Sequence, residues 1–520
     1  MNYADLFRAT LPETVLEAAA LLLLFIDLGF LRRAALRTRI VVATLAGIAG
    51  CVAALVAIPL GHFGLQGPDG FTLLASGGTA AIAQCAILIL TILTLLLFID
   101  SEFTRHPGEY VAIVLMAASG GLIVAAAQDL LVIFIGLELL SLGLYVLTAF
   151  AKQSAKSAEA AMKYYLFGGM SAAFLLFGFS YFYGLTGSTN LAVIEWTIAF
   201  SGATPLFYVA WVFVVVGLGF KIAAVPFHIW APDTYEGAPA PAAAFIASVS
   251  KVASFALLIN LSRQWLEPYI ISDLVPEHAM TQYYAAWPTV AVVLIIVSVA
   301  SMLWGNLAAL AQSSVRRLLA YSAIAHSGYI LIALAVHPNH FGQTDSEIFA
   351  AYGGESFLTA RPIAAILYYI LTYGLTTIGA FGVVGVVERA TSSDKLDSFL
   401  GLHKRNPLLA AVLLVFFLSL AGIPPLVGFW AKFNLFAAVL AVGAGPVPFA
   451  LVALAVALSA VSLYYYLQVL KRAYVLPAVD ESPIRVHPVT AVVLVLIAAA
   501  VVVLGCFPAL LGNWIASFYA

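Results

Sequence analysis

Charged side chains stand at four places inside long apolar stretches of the chain. Glu138 lies in IFIGLELLSLGLYVLTAF. Three lysines lie in other stretches: Lys221 in VVVGLGFKIAAVPFHIW, Lys251 in AAAFIASVSKVASFALLIN and Lys432 in GIPPLVGFWAKFNLFAAVL. An apolar environment disfavours the charged form of an amine, and a nearby carboxylate favours it. Lysines that are poised between the two forms can take up and release protons, so this pattern predicts a proton relay.

The amino-acid composition places these stretches in a membrane. Of 520 residues, 63% are hydrophobic and 9% are charged, and the mean hydropathy is +1.05. Soluble proteins average about 45–50% apolar and about 25% charged residues. The composition therefore excludes a soluble enzyme, a disordered chain and a nucleic-acid-binding protein. The formal net charge of -2 provides no large charged face for a polyanion or a polycation.

The elements that position the charged residues are predicted to be membrane-spanning helices, because a helix of about 20 apolar residues crosses a bilayer. We predict an all-α integral membrane protein with about fourteen transmembrane spans. The predicted spans are 11–31, 40–60, 76–99, 110–127, 130–150, 161–183, 206–229, 239–262, 286–306, 318–336, 363–387, 407–440, 447–470 and 488–512. The connections between them are too short to hold a soluble domain.

The lysine and arginine residues predict how the chain is oriented in the membrane. With the N-terminus outside, sixteen of the 23 lie in predicted inner loops and three lie in outer segments. The remaining four are Lys163, at the inner edge of span six, and the three deep lysines. This distribution favours fourteen spans with both termini on the outer, periplasmic side, and a bacterial inner membrane is the expected location.

The buried ionisable residues also have a structural interpretation, as snorkelling side chains or static ion pairs. For Lys163 the structural interpretation and the relay are equally favoured, because Glu159 lies four residues earlier on the same helical face. A single deep glutamate cannot neutralise three deep lysines, which favours the relay for those lysines. His228 and His326 lie inside spans, where each is either a proton carrier or a hydrogen-bonded packing residue. Hydroxyls that either hold water beside the lysines or join helices are those of Tyr235, Tyr321, Tyr329, Ser248, Ser250 and Ser322.

Prolines interrupt the spans that carry two of the lysines. Pro226 lies five residues after Lys221, and Pro424 and Pro425 precede Lys432 in the middle of span twelve. In lipid, such a break is tolerated only where protein or a water-filled cavity satisfies the freed backbone groups. The broken spans, seven and twelve, are five spans apart, and this odd offset predicts two inverted five-helix repeats, spans four to eight and nine to thirteen. Ordinary proline-kinked helices are the alternative.

The repeats predict how the chain is organised. Residues 1–107 would form the first three spans, 108–263 the first repeat, 264–475 the second repeat and 476–520 the last span.

The cysteines do not indicate a redox centre. Cys51, Cys85 and Cys506 are scattered through apolar stretches and form no CxxC pair. This spacing argues against an iron–sulfur cluster, a zinc site and a disulfide framework.

Five segments of the chain resemble the antiporter-like membrane subunits of respiratory complex I, and most of all the subunit N family. They are GLELLSLGLYVL, EAAMKYYLFGGMSAAFLLFGFSYFYGLTGSTNL, GFKIAAVPFHIWAPDTYEGAPAPAAAFIASVSK, NLAALAQSSVRRLLAYSAIAHSGY and AGIPPLVGFWAKF. The resemblance extends over about residues 11–475. Lys432 in span twelve favours subunit N, because the related subunit M is expected to carry a glutamate there. Residues 338–361 form a longer outer loop than the family leads us to expect.

The resemblance implies that proton-relay residues are Glu138, Lys163, Lys221, Lys251, Lys432 and His228. Glu138 would lie beside the channel and pair with Lys221, and Lys251 and Lys432 would be the central and distal lysines. Lys163 would lie between the first pair or toward the inner side, and His228 matches a histidine on the polar axis.

The resemblance also implies a function for the whole chain. It would move protons as a subunit of an NADH–quinone oxidoreductase, in the lipid bilayer with other membrane-arm subunits. No cofactor is expected on this chain, and NADH, FMN, iron–sulfur clusters and quinone are expected in partner subunits. A subunit of a multisubunit sodium/proton antiporter is one alternative, and a structural spacer that does not pump is another.

Overall fold

The structure is a computed structural model that describes residues 3–60, 65–67, 70–266, 277–335, 362–442, 445–478 and 480–519. The long outer loop predicted at 338–361 lies outside these residues. Within the described part, eleven helices are long and apolar enough to cross a membrane. This architecture confirms the prediction of a helical, multi-pass membrane protein.

The N-terminal part supplies the first helices and a small hairpin. In chain order its elements are α1 (Tyr3–Ala9), α2 (Leu11–Gly29), α3 (Leu36–Ala57), β1 (Leu65–Gln66), β2 (Thr72–Leu74) and α4 (Gly78–Phe98). The two short strands pair antiparallel and were not predicted. The hairpin packs on the first repeat, because the backbone N–H of Ala75, just after β2, donates to the carbonyl oxygen of Ala126 at 2.7 Å.

The first repeat carries the first broken helix. Its elements are α5 (Pro107–Ala126), α6 (Leu130–Thr148), α7 (Ala155–Thr186), α8 (Leu191–Ser201), α9 (Pro205–Lys221), α10 (Trp230–Gly237) and α11 (Ala240–Leu266). The start of α6 is fixed by Asp129, whose carboxylate accepts a hydrogen bond from the backbone N–H of Leu131 at 2.9 Å. Helix α7 ends at Gly187, whose φ of +71° lies in the left-handed region that glycine adopts without strain.

The second repeat carries the second broken helix, and a C-terminal pair follows it. These elements are α12 (Glu277–Leu310), α13 (Val315–Ala335), α14 (Pro362–Thr391), α15 (Leu402–Arg405), α16 (Pro407–Ala421), α17 (Val427–Val442), α18 (Pro446–Tyr474), α19 (Pro488–Cys506) and α20 (Pro508–Ala516). The pairs α9–α10 and α16–α17 confirm that spans seven and twelve are broken. The pieces α9, α16 and α17 are too short to count among the eleven long helices, so the number fourteen stays a prediction.

Basic connections from distant parts of the sequence meet at one end of the bundle, which we call the basic end. Arg37, at the start of α3, donates a hydrogen bond to the carbonyl oxygen of Ile99 at 2.9 Å. Arg389, near the end of α14, pairs with Asp100 at 2.8 Å. The backbone N–H of Val315, just after α12, donates to the carbonyl oxygen of Asp394, just after α14, at 2.9 Å. Helix α5 therefore starts at the basic end and α12 finishes there, so the two repeats run in opposite directions.

The bundle buries its central helices almost completely. The most apolar windows of α11, α13 and α14 are 100%, 94% and 83% buried within the chain. The corresponding windows of α7 and α18 are only 33% buried, so these helices face the surroundings. Lys251 lies on α11 and His326 on α13, which places both in the interior.

Candidate functional site

Lys221 is the last residue of α9 and is 6% exposed. Its Nζ donates a hydrogen bond to Ser141 Oγ on α6, and this hydroxyl donates to the carbonyl oxygen of Leu137. Glu138, three residues before Ser141, is half-buried and acts electrostatically on the Lys221 ammonium. No salt bridge joins Glu138 to a lysine within the described residues. The direct contact with Lys221 that the family resemblance implies for Glu138 is made by Ser141 in this structure.

Lys251 lies at the centre of the bundle and is 4% exposed. Its Nζ donates hydrogen bonds to the carbonyl oxygen of Ala323 at 2.5 Å and to Ser327 Oγ at 2.8 Å, both on α13. It also lies 5.5 Å from the centroid of the Tyr373 ring on α14. In the described part of the chain, no carboxylate pairs with Lys251. Neutral hydrogen-bond acceptors alone do not keep the Lys251 amine protonated.

Ser327 joins Lys251 to the first helix break. Its Oγ accepts from Lys251 and donates to the carbonyl oxygen of Ile222 at 2.7 Å. Ile222 directly follows Lys221, and its carbonyl has no helical donor because the residue four positions later is Pro226. The Ile222 carbonyl, which Pro226 leaves without a helical donor, is thus linked through Ser327 to Lys251.

Lys432 lies on α17, just after the second break, and is 6% exposed. Its Nζ donates to the carbonyl oxygen of Ala421 at 2.9 Å and to Ser459 Oγ at 2.8 Å. Ala421 is the last residue of α16, and its carbonyl is free because Pro425 has no N–H. The end of a helix carries partial negative charge that favours a cation. Gly422 permits this approach, since a Cβ there would lie 2.9 Å from Lys432 Cδ.

His326 packs against two aromatic rings, one beside Lys251 and the other beside Lys432. Its ring is 4.8 Å from that of Tyr373, over which Lys251 lies. It is 5.8 Å from the ring of Tyr329, and Lys432 lies 5.6 Å from the centroid of that ring. The imidazole therefore occupies the gap between the central and the distal lysine.

A small cavity adjoins His326. The imidazole Nδ1 and the Tyr369 hydroxyl are hydrogen-bonded at 2.7 Å. Thr372, Thr376 and Ser419 line the cavity, which has room for roughly one water molecule. An imidazole and hydroxyls around a space of this size can pass a proton between two amines.

His228, between α9 and α10, has no hydrogen bond or ring contact with the three lysines in the part of the chain that the structure describes. Its half-buried ring is 6.1 Å from the ring of Trp304. Trp304 and Ile229 are 53% and 60% exposed, so His228 lies near the surface of the bundle. Its buried Nδ1 forms no hydrogen bond to any residue that the structure describes. The structure does not bring His228 to the lysines, and its part in the relay stays a prediction.

Lys163 lies in a charged network at the basic end and is 40% exposed. Its Nζ is 2.7 Å from both Glu159 Oε1 and Asp233 Oδ2. Asp233, on α10, also pairs with Arg317 on α13 at 2.6 Å. The network therefore joins α7, α10 and α13, and it agrees with the static ion pair as an interpretation of Lys163.

Comparisons with known proteins identify the family that carries this geometry. A family profile described as "NADH:quinone oxidoreductase/Mrp antiporter, TM" matches residues 127–352 and 354–459. NADH-quinone oxidoreductase subunit N 2 of Acidobacterium capsulatum is 43% identical over 99% of this chain and 99% of its own length. The chain belongs to the subunit N family of NADH-quinone oxidoreductases. A subunit N of Koribacter versatilis is 35% identical over 96% of this chain and 93% of its own length.

Solved structures share the subunit N fold. A chain of respiratory complex I from Thermus thermophilus with bound aureothin is 31% identical, with a TM-score of 0.73 over 96% of this chain and 98% of its own. A chain of the Mrp complex from a Dietzia species has a TM-score of 0.76 over 98% of this chain and 97% of its own. It is only 20% identical to this chain and shows the fold alone.

Sequence analysis of this subunit N homologue missed the neutral partners of its lysines. Ser141, Ser327 and Ser459 each accept a hydrogen bond from a buried lysine. Serines are common in membrane helices, and neither their type nor their spacing indicates which lysine they contact. His326 did carry a signal, as one of the two histidines inside spans, but only the structure places it between Lys251 and Lys432.

Proposed function

We propose that this chain translocates protons as a membrane subunit of a bacterial NADH:quinone oxidoreductase. Its relatives are named as subunit N of that enzyme, and a solved relative is part of respiratory complex I. The observation that carries the proposal is the line of three buried lysines, each held by neutral acceptors, that extends from one helix break to the other.

The proposed steps begin at Glu138. Quinone reduction in neighbouring subunits moves its carboxylate toward or away from Lys221. Approach favours the ammonium form of Lys221, and withdrawal leaves the amine with the neutral Ser141 hydroxyl, which favours release of the proton. The proton then passes by Lys251 and His326 to Lys432, which releases it on the outer side.

The interaction energy between a carboxylate and an ammonium is large enough to drive the transfer. Moving one elementary charge against 100 mV costs about 2.3 kcal/mol. A carboxylate at about 4 Å stabilises an ammonium by roughly 4 kcal/mol when the effective dielectric constant is about 20. Movement of one carboxylate is therefore sufficient to move one proton against such a potential.

The redox chemistry of the enzyme occurs in partner subunits. The chain binds no cofactor and has no redox centre of its own, and NADH, FMN, iron–sulfur clusters and quinone belong to partner subunits. It lies in a bacterial inner membrane with both termini on the periplasmic side. We propose for its organisation the boundaries 1–107, 108–263, 264–475 and 476–520.

A subunit of a multisubunit sodium/proton antiporter is the alternative function. The likeness to the Mrp complex concerns the fold alone, whereas the full-length relatives named subunit N favour the oxidoreductase. Neighbouring genes for quinone-binding and iron–sulfur subunits would support the oxidoreductase. A cluster of small hydrophobic antiporter subunits would support the alternative.

The proposal is tested with Glu138→Ala and Lys221→Ala in the assembled complex. Proton pumping into vesicles is measured beside quinone reduction. We expect both variants to assemble and to lose pumping. Full pumping with normal quinone reduction in both variants would contradict the proposal and would favour a structural spacer.

A further inference from the structure

A buried asparagine, Asn306 on α12, lies beside the distal end of the lysine line. It is 0% exposed. Its Nδ2 donates hydrogen bonds to the Tyr329 hydroxyl on α13 at 3.0 Å and to the carbonyl oxygen of Met302 on its own helix at 2.7 Å. Its Oδ1 accepts a hydrogen bond from the Tyr465 hydroxyl on α18 at 3.3 Å. One side-chain amide therefore joins three helices.

The Tyr329 ring connects this amide to Lys432. Tyr329 is 1% exposed, and Lys432 Nζ lies over its ring, 5.6 Å from the centroid. A cation within about 6 Å of the face of a tyrosine ring is attracted to it, more strongly where water is excluded. The hydrogen-bond partners of Lys432 are neutral, namely the Ala421 carbonyl and the Ser459 hydroxyl. The position of the Tyr329 ring therefore affects how strongly Lys432 holds its proton, because only the charged amine has this attraction.

The hydroxyl of Tyr329 is held by Asn306 alone among the residues that the structure describes. The other neighbours of the ring are aromatic. His326 packs edge-on against it at 5.8 Å, and Phe436 on α17 does so at 6.1 Å. Edge-on ring contacts limit where the ring lies but leave it free to tilt, whereas a hydrogen bond fixes the direction of the phenol. The Asn306 amide therefore determines the orientation of the ring face that Lys432 meets.

Close packing of α12 against α13 keeps this amide in place. Gly328 permits the approach, since a Cβ there would lie 2.8 Å from the backbone nitrogen of Met302, four residues before Asn306. Ser298 Oγ, on α12, donates a hydrogen bond to the carbonyl oxygen of Gly328 at 2.6 Å. Interiors packed this closely do not deform continuously. Asn306 therefore acts on the neighbouring ring from a fixed position.

We propose that Asn306 is a positioning residue for the distal lysine: its amide holds the Tyr329 ring against Lys432 and so sets how strongly that lysine holds its proton. The inference rests on the proposed function, because it requires Lys432 to take up and release protons. Without the amide, the phenol is free and the ring tilts away from the ammonium. Lys432 then loses an interaction that only its charged form makes. Asn306 itself carries no proton.

Other titratable groups near Lys432 are common to every variant of the test. The helices packed against α17 are α13, α14, α16, α18 and α19. The interior titratable residues that they carry are His326, Tyr329, Tyr368, Tyr369, Tyr373, Tyr465 and Tyr466. Helix α16 carries none, and α19 carries only the exposed Cys506. Tyrosine titrates near pH 10 in water, so His326 is the one group of this set with an ordinary range near neutral pH.

The test uses variants on both sides of one hydrogen bond. Asn306→Leu removes the amide at nearly constant volume, and Tyr329→Phe keeps the ring but removes the hydroxyl that the amide holds. A double variant combines the two. The matched control is Asn260→Leu, because Asn260 on α11 is 6% exposed and its Nδ2 donates to the carbonyl oxygen of Ala125 on α5 at 3.0 Å. That bond also joins two helices, but it involves no group that contacts Lys432.

The measurement is coupled turnover per assembled complex in liposomes, recorded over a range of pH. We expect Asn306→Leu and Tyr329→Phe each to move the alkaline limb of the pH profile to lower pH by about half a unit to one unit, as expected for loss of a buried cation–π contact. The double variant should move it no further than the single variants, because both act through one bond. Asn260→Leu should keep the profile of the unaltered complex. An unchanged profile in both Asn306→Leu and Tyr329→Phe would overturn the proposal, and so would additive shifts in the double variant.

A parallel variant separates failure of the positioning role from failure of the proposed function. Lys432→Met removes the amine that the ring faces. If this variant stops pumping while Asn306→Leu and Tyr329→Phe keep the normal pH profile, the positioning role is wrong and the proposed function stands. If Lys432→Met itself pumps normally, the proposed function fails, and the positioning role fails with it.

Discussion

The carbonyl oxygens of Ile222 and Ala421 occupy matching places at the two helix breaks. Each belongs to the residue four positions before a proline, so each lacks its helical donor. Ile222 accepts from Ser327 at 2.7 Å, and Ala421 accepts from Lys432 at 2.9 Å. The prolines thus create two acceptors inside the membrane, and polar groups of the lysine line occupy both. The breaks and the buried lysines are therefore parts of one arrangement.

Ser327→Ala should uncouple the first break from Lys251. The substitution leaves the Ile222 carbonyl without a donor and removes one of two acceptors of the Lys251 amine. We expect pumping to fall and the free energy of unfolding to drop by about 1–3 kcal/mol. Thermal inactivation and pumping of the assembled complex measure the two effects. Ser254→Ala is the control, because the Ser254 hydroxyl bonds only to its own helix at 2.8 Å. Equal behaviour of the two variants would contradict the link.

Gly505→Ala should disturb the second break. A Cβ on Gly505, in α19, would overlap the carbonyl oxygen of Pro425, so the break would have to move. We expect a loss of about 1–3 kcal/mol in stability and reduced pumping. Gly184→Ala, on α7, is the control, because nothing lies within 4 Å of its added Cβ. Unchanged pumping by Gly505→Ala would show that the position of the break does not matter.

His326 should matter more for pumping than His228. The His326 ring packs against Tyr373 and Tyr329, the rings over which Lys251 and Lys432 lie. His228 lies near the exposed Trp304. We expect His326→Gln to slow coupled turnover by about tenfold or more, because a positioned proton carrier is lost. His228→Gln should leave most of the turnover. The reverse order, measured as pumping at saturating NADH, would contradict this ranking and would support the relay role that the family resemblance implies for His228.

We expect Lys163 to stabilise the position of α10 and not to carry protons. Lys163→Gln breaks its pairs with Glu159 and Asp233, and each exposed pair contributes about 0.2–1 kcal/mol. Lys163→Arg keeps both pairs but holds a side chain that does not release its proton. We therefore expect Lys163→Arg to pump normally and Lys163→Gln to lower the inactivation temperature. Loss of pumping in Lys163→Arg, with normal assembly, would instead make Lys163 a proton carrier.

Much of the fold could be predicted because each span has to be apolar along its whole length. The prediction was weakest where polar residues enter a helix. Span seven was predicted to end at residue 229, but α10 continues through Trp230–Gly237. Helix α10 was not predicted because its polar residues lower the local hydropathy. These residues are tolerated there because they have partners, as Asp233 pairs with Lys163 and Arg317. Those partners are distant in sequence, so local hydropathy does not indicate them.

Some residues of the candidate site could also be predicted from the sequence, and others could not. Lys221, Lys251 and Lys432 could be found because a charge in an apolar run is conspicuous. Their acceptors could not, because Ser141 and Ser327 look like any other membrane serine. Helix packing alone determines which hydroxyl meets which amine, and packing depends on contacts between residues about 80 positions apart, as for Lys221 and Ser141.

The most direct test of the central claim compares Lys221→Arg with Lys221→Ala in the assembled, reconstituted complex. The claim is that Lys221 alternates between its charged and its neutral form, and arginine remains charged. We predict that Lys221→Arg assembles normally yet loses proton pumping as Lys221→Ala does. Full pumping by Lys221→Arg would contradict the account, because a permanent charge would then be sufficient at this position.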